Sequence, residues 1–361
     1  MSPSDLAWLR RTSPTTASRP RTLRTETRGI ARLDLLEHAS PLSPRLMRRI
    51  GRAFSSLDLN RYPDSEAGEL KREFSKRLAI STDHILLGKG SDELLQILFL
   101  SISGPILIVE PSFPMYRNIA ETVERNVHSV LLDVDLTLNM DRLLESVHLH
   151  APALVVLSHP NNPTGAGLCP EEVARLAFAA PGGVLIDEAY HPFAGSTHLP
   201  LMEKFPNLMI LRSLSKAGLA AIRIGQLIAA PEIIRRLDEI RLPYNIDGMV
   251  QSAARLLCRE ALPALEVRAR GVAARRDLLF EALKKIPGIT PFPSRANFIL
   301  FRTGRAPCSE VFSKLKEHGI LVREMSGDHP LLEGCLRVTV GPRAEVRLFL
   351  RALDSIMKGF L

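Results

Sequence analysis

"LRSLSKAGLAAIRIG", Leu211 to Gly225, closes an apolar run that begins at Leu208. Two serines, Ser213 and Ser215, precede Lys216, and Arg223 follows seven residues later. A lysine shielded from water where a strand ends has its pKa lowered and becomes a nucleophilic amine able to form a Schiff base. Hydroxyls and an arginine around it suit a dianionic phosphate, because a guanidinium makes paired, charge-assisted bonds.

Working outward, short apolar runs alternate with helical segments: Ile106–Val109, Val127–Leu132, Leu154–Leu157, Val184–Ile186, Met209–Leu211 and Gly225–Ile228. Such alternation predicts an α/β protein with a mainly parallel sheet. Ligands of such sheets bind beyond the carboxyl ends of the strands. The helical segments include 44–54, opened by Ser43 and Pro44, and Gly68–Ile80, with Leu70, Phe74 and Leu78 on one stripe. A long helical stretch, roughly Gly248 to Lys285, leads to "ANFILF", "GILVRE" and "CLRVTVG", read as strands of a smaller α+β domain. The expected organisation is a basic tail (1–29), an N-terminal arm (30–52), a large domain (53–247) and a small C-terminal domain (248–361).

Polar residues stand at the predicted strand ends. "GKGSDE", Gly88 to Glu93, joins a strand to a helix with Ser91 as the expected N-cap. Glycines there let backbone N–H groups approach an anion at the helix N-terminus. "HPNNPTG", His159 to Gly165, sets two asparagines between prolines. "DEAY", Asp187 to Tyr190, follows "GVLI". A carboxylate there needs a cationic or strongly donating partner, or it caps a helix. Together these groups provide a lysine for an aldehyde, a carboxylate for a cationic ring nitrogen, donors for a phenolate oxygen and a phosphate cup. That combination describes pyridoxal phosphate.

Composition narrows the remainder. The chain has 361 residues, 45% hydrophobic and 24% charged, ordinary for a globular protein. No stretch approaches the ~20 apolar residues that span a bilayer, so no membrane partner is expected. Cys169, Cys258, Cys308 and Cys335 lack metal-site spacing, which fits no metal and a reducing, cytoplasmic setting. The net charge of +8 is concentrated in residues 1–30, where six arginines face two acidic residues. The rest is nearly balanced, so no nucleic-acid face is expected. The tail, rich in Arg, Ser, Thr and Pro, is expected to be disordered.

The chain resembles the fold-type I pyridoxal-phosphate aminotransferases, and within them the histidinol-phosphate aminotransferases. The resemblance covers about Arg32 to Leu361. It rests on "RYPD", "GKGSDELL", "EPSFPMY", "SHPNNPTG", "IDEAYHPFAG", "LRSLSKAGLAAIRIG", "RLPYN", "ANFILF" and "LRVTVG". It implies Lys216 as the Schiff-base lysine that also moves a proton, and Asp187 against the pyridine nitrogen. Asn162 and Tyr190 would bond the phenolic oxygen, and Phe113 would cover the ring face. Gly90, Ser91, Ser213, Ser215 and Arg223 would hold the phosphate. Tyr62 would reach the phosphate of a neighbouring subunit, making a homodimer part of the site. Arg337 would bind the substrate anion, with Asn297 and Tyr116 beside it and Arg323 contributing. The implied reaction takes L-histidinol phosphate and 2-oxoglutarate to imidazole acetol phosphate and L-glutamate.

One departure stands in "LLEHASP", Leu35 to Pro41, where the family carries an Asn-Glu-Asn-Pro-like segment: Glu37 matches, His38 and Ala39 do not. Two other readings stay open on these residues. One keeps the cofactor but changes the chemistry, to an aromatic aminotransferase or a threonine-phosphate decarboxylase. The other is a non-enzymatic binding protein on the same fold, which has no need of the Schiff-base lysine.

Overall fold

The computed structural model describes residues 29–37 and 41–360. The expectations for the basic tail (all but Gly29), His38 and Ala39 lie outside the described residues. Within them the strands are β1 (Ala31–Arg32), β2 (Ile85–Gly88), β3 (Ile106–Glu110), β4 (Val127–Leu131), β5 (Leu154–Ser158), β6 (Gly183–Asp187) and β7 (Leu208–Ser213). They continue with β8 (Gly225–Ile228), β9 (Thr290–Pro291), β10 (Phe298–Arg302), β11 (Ile320–Leu321), β12 (Arg323–Glu324) and β13 (Cys335–Thr339).

A seven-stranded sheet has the order β2-β8-β7-β6-β5-β3-β4. Its β3–β7 neighbours pair in parallel, while β8 runs antiparallel to both β2 and β7. Both faces of its central strands are covered, so β5, β6 and β7 read as continuous apolar runs. Alternation divides them between two cores. Leu185, Met209 and Leu211 pack with helices Ser91–Ser101, Met115–Thr122 and Pro231–Asp238. Val184, Ile186, Leu208 and Ile210 pack with helices Met140–His150 and Pro170–Ala179. At about 1.5–3 kcal/mol for each fully buried aliphatic side chain, this frame is rigid enough to fix what stands at its ends.

The second sheet, β12-β13-β10-β9, is antiparallel and packs against helices Cys308–Glu317 and Arg343–Lys358. The arm begins with β1, which pairs in parallel with β11. Helix Pro44–Ser55 is capped as expected, the Ser43 hydroxyl accepting from the Leu46 N–H at 3.3 Å.

The helical stretch expected over roughly 248–285 consists of two helices, Gly248–Glu260 and Leu262–Leu283. Pro263 has no N–H to continue the first ladder, so the chain restarts at Ala261. Ala253, Ala254 and Leu257 share a core with Leu46, Leu70 and Ile85. The second helix starts in that core with Leu262 and Leu265 and ends in the core of the small sheet with Leu279 and Leu283. Helix Ser91–Ser101 has Gly90 at its N-cap position, so Ser91 is its first residue, not its cap. Gly90 takes φ of +88°, which a side chain would strain.

Candidate active site

The carboxyl ends of β2, β5, β6 and β7 lie along one edge of the large sheet. Ser158 is in register with Asp187, and Gly225 with both Ser213 and Gly88. This is where a parallel sheet binds ligands.

Asp187 is buried on the Leu185 face of the sheet. Its Oδ2 accepts from the Tyr116 hydroxyl at 2.7 Å and its Oδ1 from the Ala189 N–H at 2.9 Å. Among the described residues no cation bonds to it. Burial therefore outweighs the two donors, and its carboxyl is pushed up to about 6. Lys216 lies in the tight turn Ser215–Leu219 that follows β7. Its Nζ is 5.8 Å from the centre of the Tyr190 ring. Burial, then the charge of Arg337, lowers its amine to about 8. Tyr190 is buried edge-on against Phe298, ring centres 5.4 Å apart, and burial pushes its hydroxyl pKa up.

Asn162 and Arg337 meet between the two sheets. Arg337 Nη1 donates to Asn162 Oδ1 at 2.5 Å, which leaves the amide nitrogen as the donor end of Asn162. The Arg337 guanidinium lies 5.4 Å over the Phe298 ring, and burial lowers it to about 10. Its buried Nε has no hydrogen-bond partner, and neither does the buried Oδ1 of Asn297. Asn297 Nδ2 donates to the Leu36 carbonyl at 3.2 Å, tying the arm to the site. Arg323 is the direct cross-strand partner of Arg337, so both side chains share one face, with Asp328 3.5 Å from Arg323.

A second group surrounds Gly90. Arg223, itself left-handed at φ +52°, donates to the Ser215 hydroxyl at 3.2 Å and pairs with Asp92 at 3.4 Å. Ser213 Oγ accepts from the Ser215 N–H at 3.1 Å. A Cβ on Gly90 would stand 2.6 Å from the Arg223 guanidinium, and one on Gly225 2.7 Å from the Ser91 nitrogen. Only glycine lets these segments close into a cup. Together with the lowered amine of Lys216 and the uncompensated Asp187, this donor set fits a phosphorylated pyridine aldehyde.

Two further expected residues differ in placement. Tyr62 is 81% exposed and stacks on Tyr244, ring centres 4.6 Å apart. Tyr116, expected beside the substrate, is fully buried and spends its hydroxyl on Asp187. Its helix packs into the sheet core, so its ring points inward, while Phe113 stays partly exposed, edge-on to it at 5.5 Å.

Sequence reasoning missed the network on the opposite face. Glu188, fully buried, accepts from Arg212 Nη2 at 2.8 Å, the Thr197 hydroxyl at 2.8 Å and the His198 N–H at 2.6 Å. Burial alone would raise its carboxyl, but the His198 contacts and the Arg212 charge hold it at about 2. His159 Nδ1 accepts from the Leu168 N–H at 2.8 Å and its ring meets His198 edge-on at 4.4 Å, so the asparagine loop is pinned to the same network. A charged residue inside the buried run "LMILRS" was the available signal.

A model of the class I and II aminotransferase family matches residues 32–353. Histidinol-phosphate aminotransferase 2 of Nitrosococcus oceani is 39% identical over 330 residues, covering 90% of this chain and 91% of its own. Histidinol-phosphate aminotransferase of Chromobacterium violaceum is 38% identical, covering 90% and 92%. Among solved structures, histidinol-phosphate aminotransferase from Sinorhizobium meliloti, in complex with pyridoxal-5'-phosphate, superposes with a TM-score of 0.81 at 27% identity, covering 92% of each chain.

Proposed function

Because this chain belongs to the class I and II aminotransferases, enzymes that use pyridoxal phosphate, we propose that it transfers the amino group of L-histidinol phosphate to 2-oxoglutarate. The products are imidazole acetol phosphate and L-glutamate, a step of histidine biosynthesis. The observation that carries the substrate reading is the cross-strand pair Arg337 and Arg323, of which Arg337 is near enough to Lys216 for its charge to lower the amine. A carboxylate is satisfied by one guanidinium, whereas a phosphate dianion can use two. Relatives at 38–39% identity carry the same activity in their names.

When bound, pyridoxal phosphate supplies an aldehyde for the amine and a ring that accepts the electrons released at the substrate carbon. Gly90, Ser91, Ser213, Ser215 and Arg223 bind its phosphate. Asp187, short of a cation, holds a proton on the ring nitrogen. Asn162, with its amide nitrogen as donor, and Tyr190 bond the phenolic oxygen, and Phe113 covers the ring face. Lys216, with an amine lowered to about 8, is poised to take the proton from the substrate carbon and to return it two atoms away, at the carbon that was the cofactor's aldehyde. Arg337 and Asn297, each with an unpartnered buried polar atom, bind the substrate, and Arg323 adds the second cation for its phosphate. We also propose a homodimer in which Tyr62 completes the partner's phosphate site. Its exposed stack on Tyr244, flanked by exposed Leu59 and Leu242, supports that reading. We further propose a large and a small domain whose boundary falls within helix Leu262–Leu283 and not at Gly248, since helix Gly248–Glu260 shares a core with Leu46, Leu70 and Ile85.

The test is 2-oxoglutarate-dependent deamination of histidinol phosphate, phenylalanine and threonine phosphate, with CO2 release followed in parallel. Preference for histidinol phosphate without CO2 is the expected result. Preference for phenylalanine, or release of CO2 from threonine phosphate, would replace it.

A further inference from the structure

We infer that Tyr116 is a positioning residue, whose hydroxyl orients the Asp187 carboxylate and keeps the proton of the carboxylate–ring pair on the cofactor nitrogen. The inference rests on the proposed contact of Asp187 with the ring. Its basis is geometric. Tyr116 Oη lies 2.7 Å from Asp187 Oδ2, and both side chains are buried. A tyrosine hydroxyl has one hydrogen, and this one points at the carboxylate. The Ala189 N–H holds the other oxygen, so the carboxylate is fixed at two points.

The chemistry follows from which form each donor favours. A hydrogen bond donated to a carboxylate stabilises its charged form. In a buried pair of carboxylate and pyridine nitrogen, one proton has two homes. Donation from Tyr116 makes Asp187 the poorer home and leaves the proton on the ring, where it is needed to withdraw electrons. The surroundings otherwise push the opposite way. Burial and the negative charges of Asp92 and Glu188 all favour a neutral Asp187, and the Tyr190 hydroxyl is uncharged at neutral pH. Tyr116 and the Ala189 N–H are the groups that oppose them. The tyrosine is supported from behind: its helix, Met115–Thr122, packs through Ile119 and Ala120 into the sheet core, and Phe113 abuts its ring. It therefore acts through Asp187 and not on the substrate.

Tyr116→Phe removes the hydroxyl and keeps the ring, so the fold is retained. Two readouts separate this inference from the reading beneath it. In the cofactor-free protein, the 13C-labelled Asp187 carboxyl, assigned by its loss in Asp187→Asn, should titrate at higher pH in Tyr116→Phe than in the parent. An unchanged midpoint overturns the inference, whatever the cofactor does. In the holoenzyme with 15N-labelled pyridoxal phosphate, the ring-nitrogen resonance should move from the protonated toward the unprotonated position in Tyr116→Phe. Turnover should fall roughly tenfold, the scale of one hydrogen bond to a charged group, with KM within about twofold. If Asp187→Asn moves the resonance and Tyr116→Phe does not, Tyr116 only fills space. If neither variant moves it, the contact between Asp187 and the ring is wrong, and the inference falls with it.

Discussion

Asp187 and Glu188 are neighbours in sequence, both carboxylates and both buried, yet they live in opposite environments. Successive residues of a strand point to opposite faces. Asp187 follows Leu185 to the side of Tyr116, and Glu188 follows Ile186 to the side of Arg212. Glu188 is fully compensated by a guanidinium, a hydroxyl and a backbone N–H, and stays ionised down to about pH 2. Asp187 has two neutral donors and its carboxyl rises to about 6. The contrast extends to their surroundings: Arg212 is paired, whereas Arg337 keeps an unbonded Nε and Lys216 a lowered amine. A buried charge with all its partners holds a fold together. One left short of partners is waiting for a ligand that brings them.

This contrast separates two sets of substitutions, and the largest effect belongs to the under-partnered set. Lys216→Ala should abolish turnover while the protein stays folded, seen as wild-type circular dichroism with no product. Turnover at the wild-type rate would end the reading. Asp187→Asn should lose several orders of magnitude in kcat, since an amide carries no charge to hold a proton on the ring. Its melting temperature without cofactor should stay or rise, because an uncompensated buried charge is gone. A variant that melts much lower yet turns over normally would make Asp187 a structural cap.

Arg337→Ala should lower kcat/KM in both half-reactions by about 30-fold to several thousand-fold, the cost of an unpaired buried anion. Arg337→Lys should recover only part, lacking the planar fork. Arg323→Ala should harm histidinol phosphate more than glutamate, and equal losses in steady-state kinetics would remove its phosphate role.

Glu188→Gln should show the reverse pattern. It leaves Arg212 buried without its counter-charge and should cost about 3–5 kcal/mol in denaturant unfolding. Activity should fall less than in Asp187→Asn when both are assayed below their melting range. If Glu188→Gln unfolds like wild type, the division between the two carboxylates fails.

The smallest effect is in pH. The folded Asp187 binds its proton more tightly than the unfolded chain does, with about 6 against 3.8. Its contribution therefore falls as pH rises through that window. The folded Glu188 binds its proton less tightly, about 2 against 4.5, so its contribution is full above 4.5 and is lost as pH falls toward 2. Melting curves of the cofactor-free protein should show Asp187→Asn gaining on wild type between about pH 4 and 6. The deficit of Glu188→Gln should shrink as pH is lowered below about 4.5. Parallel curves for both variants would contradict the two environments.

Much of this was legible in the sequence alone. The alternation of short apolar runs with helices determined an α/β fold, because a strand buried on both faces must be apolar throughout. The strand-end motifs determined which residues gather, because a parallel sheet brings its carboxyl ends to one edge. Lys216, Asp187, Ser213, Ser215 and Arg223 were read as candidates in this way, while the role of Asn162 came from the family resemblance. Tertiary structure alone decided how each is partnered. No local pattern tells that Tyr116 turns inward to Asp187, or that Asn162 meets Arg337 from another sheet, 175 residues along the chain. Nor does local sequence divide the helical stretch after Gly248 between two cores. Those outcomes depend on which faces the folded layers press together, and burial is what converts such contacts into shifted protonation. The side to which a residue points follows from period two, but what waits on that side is decided by chain folded from elsewhere.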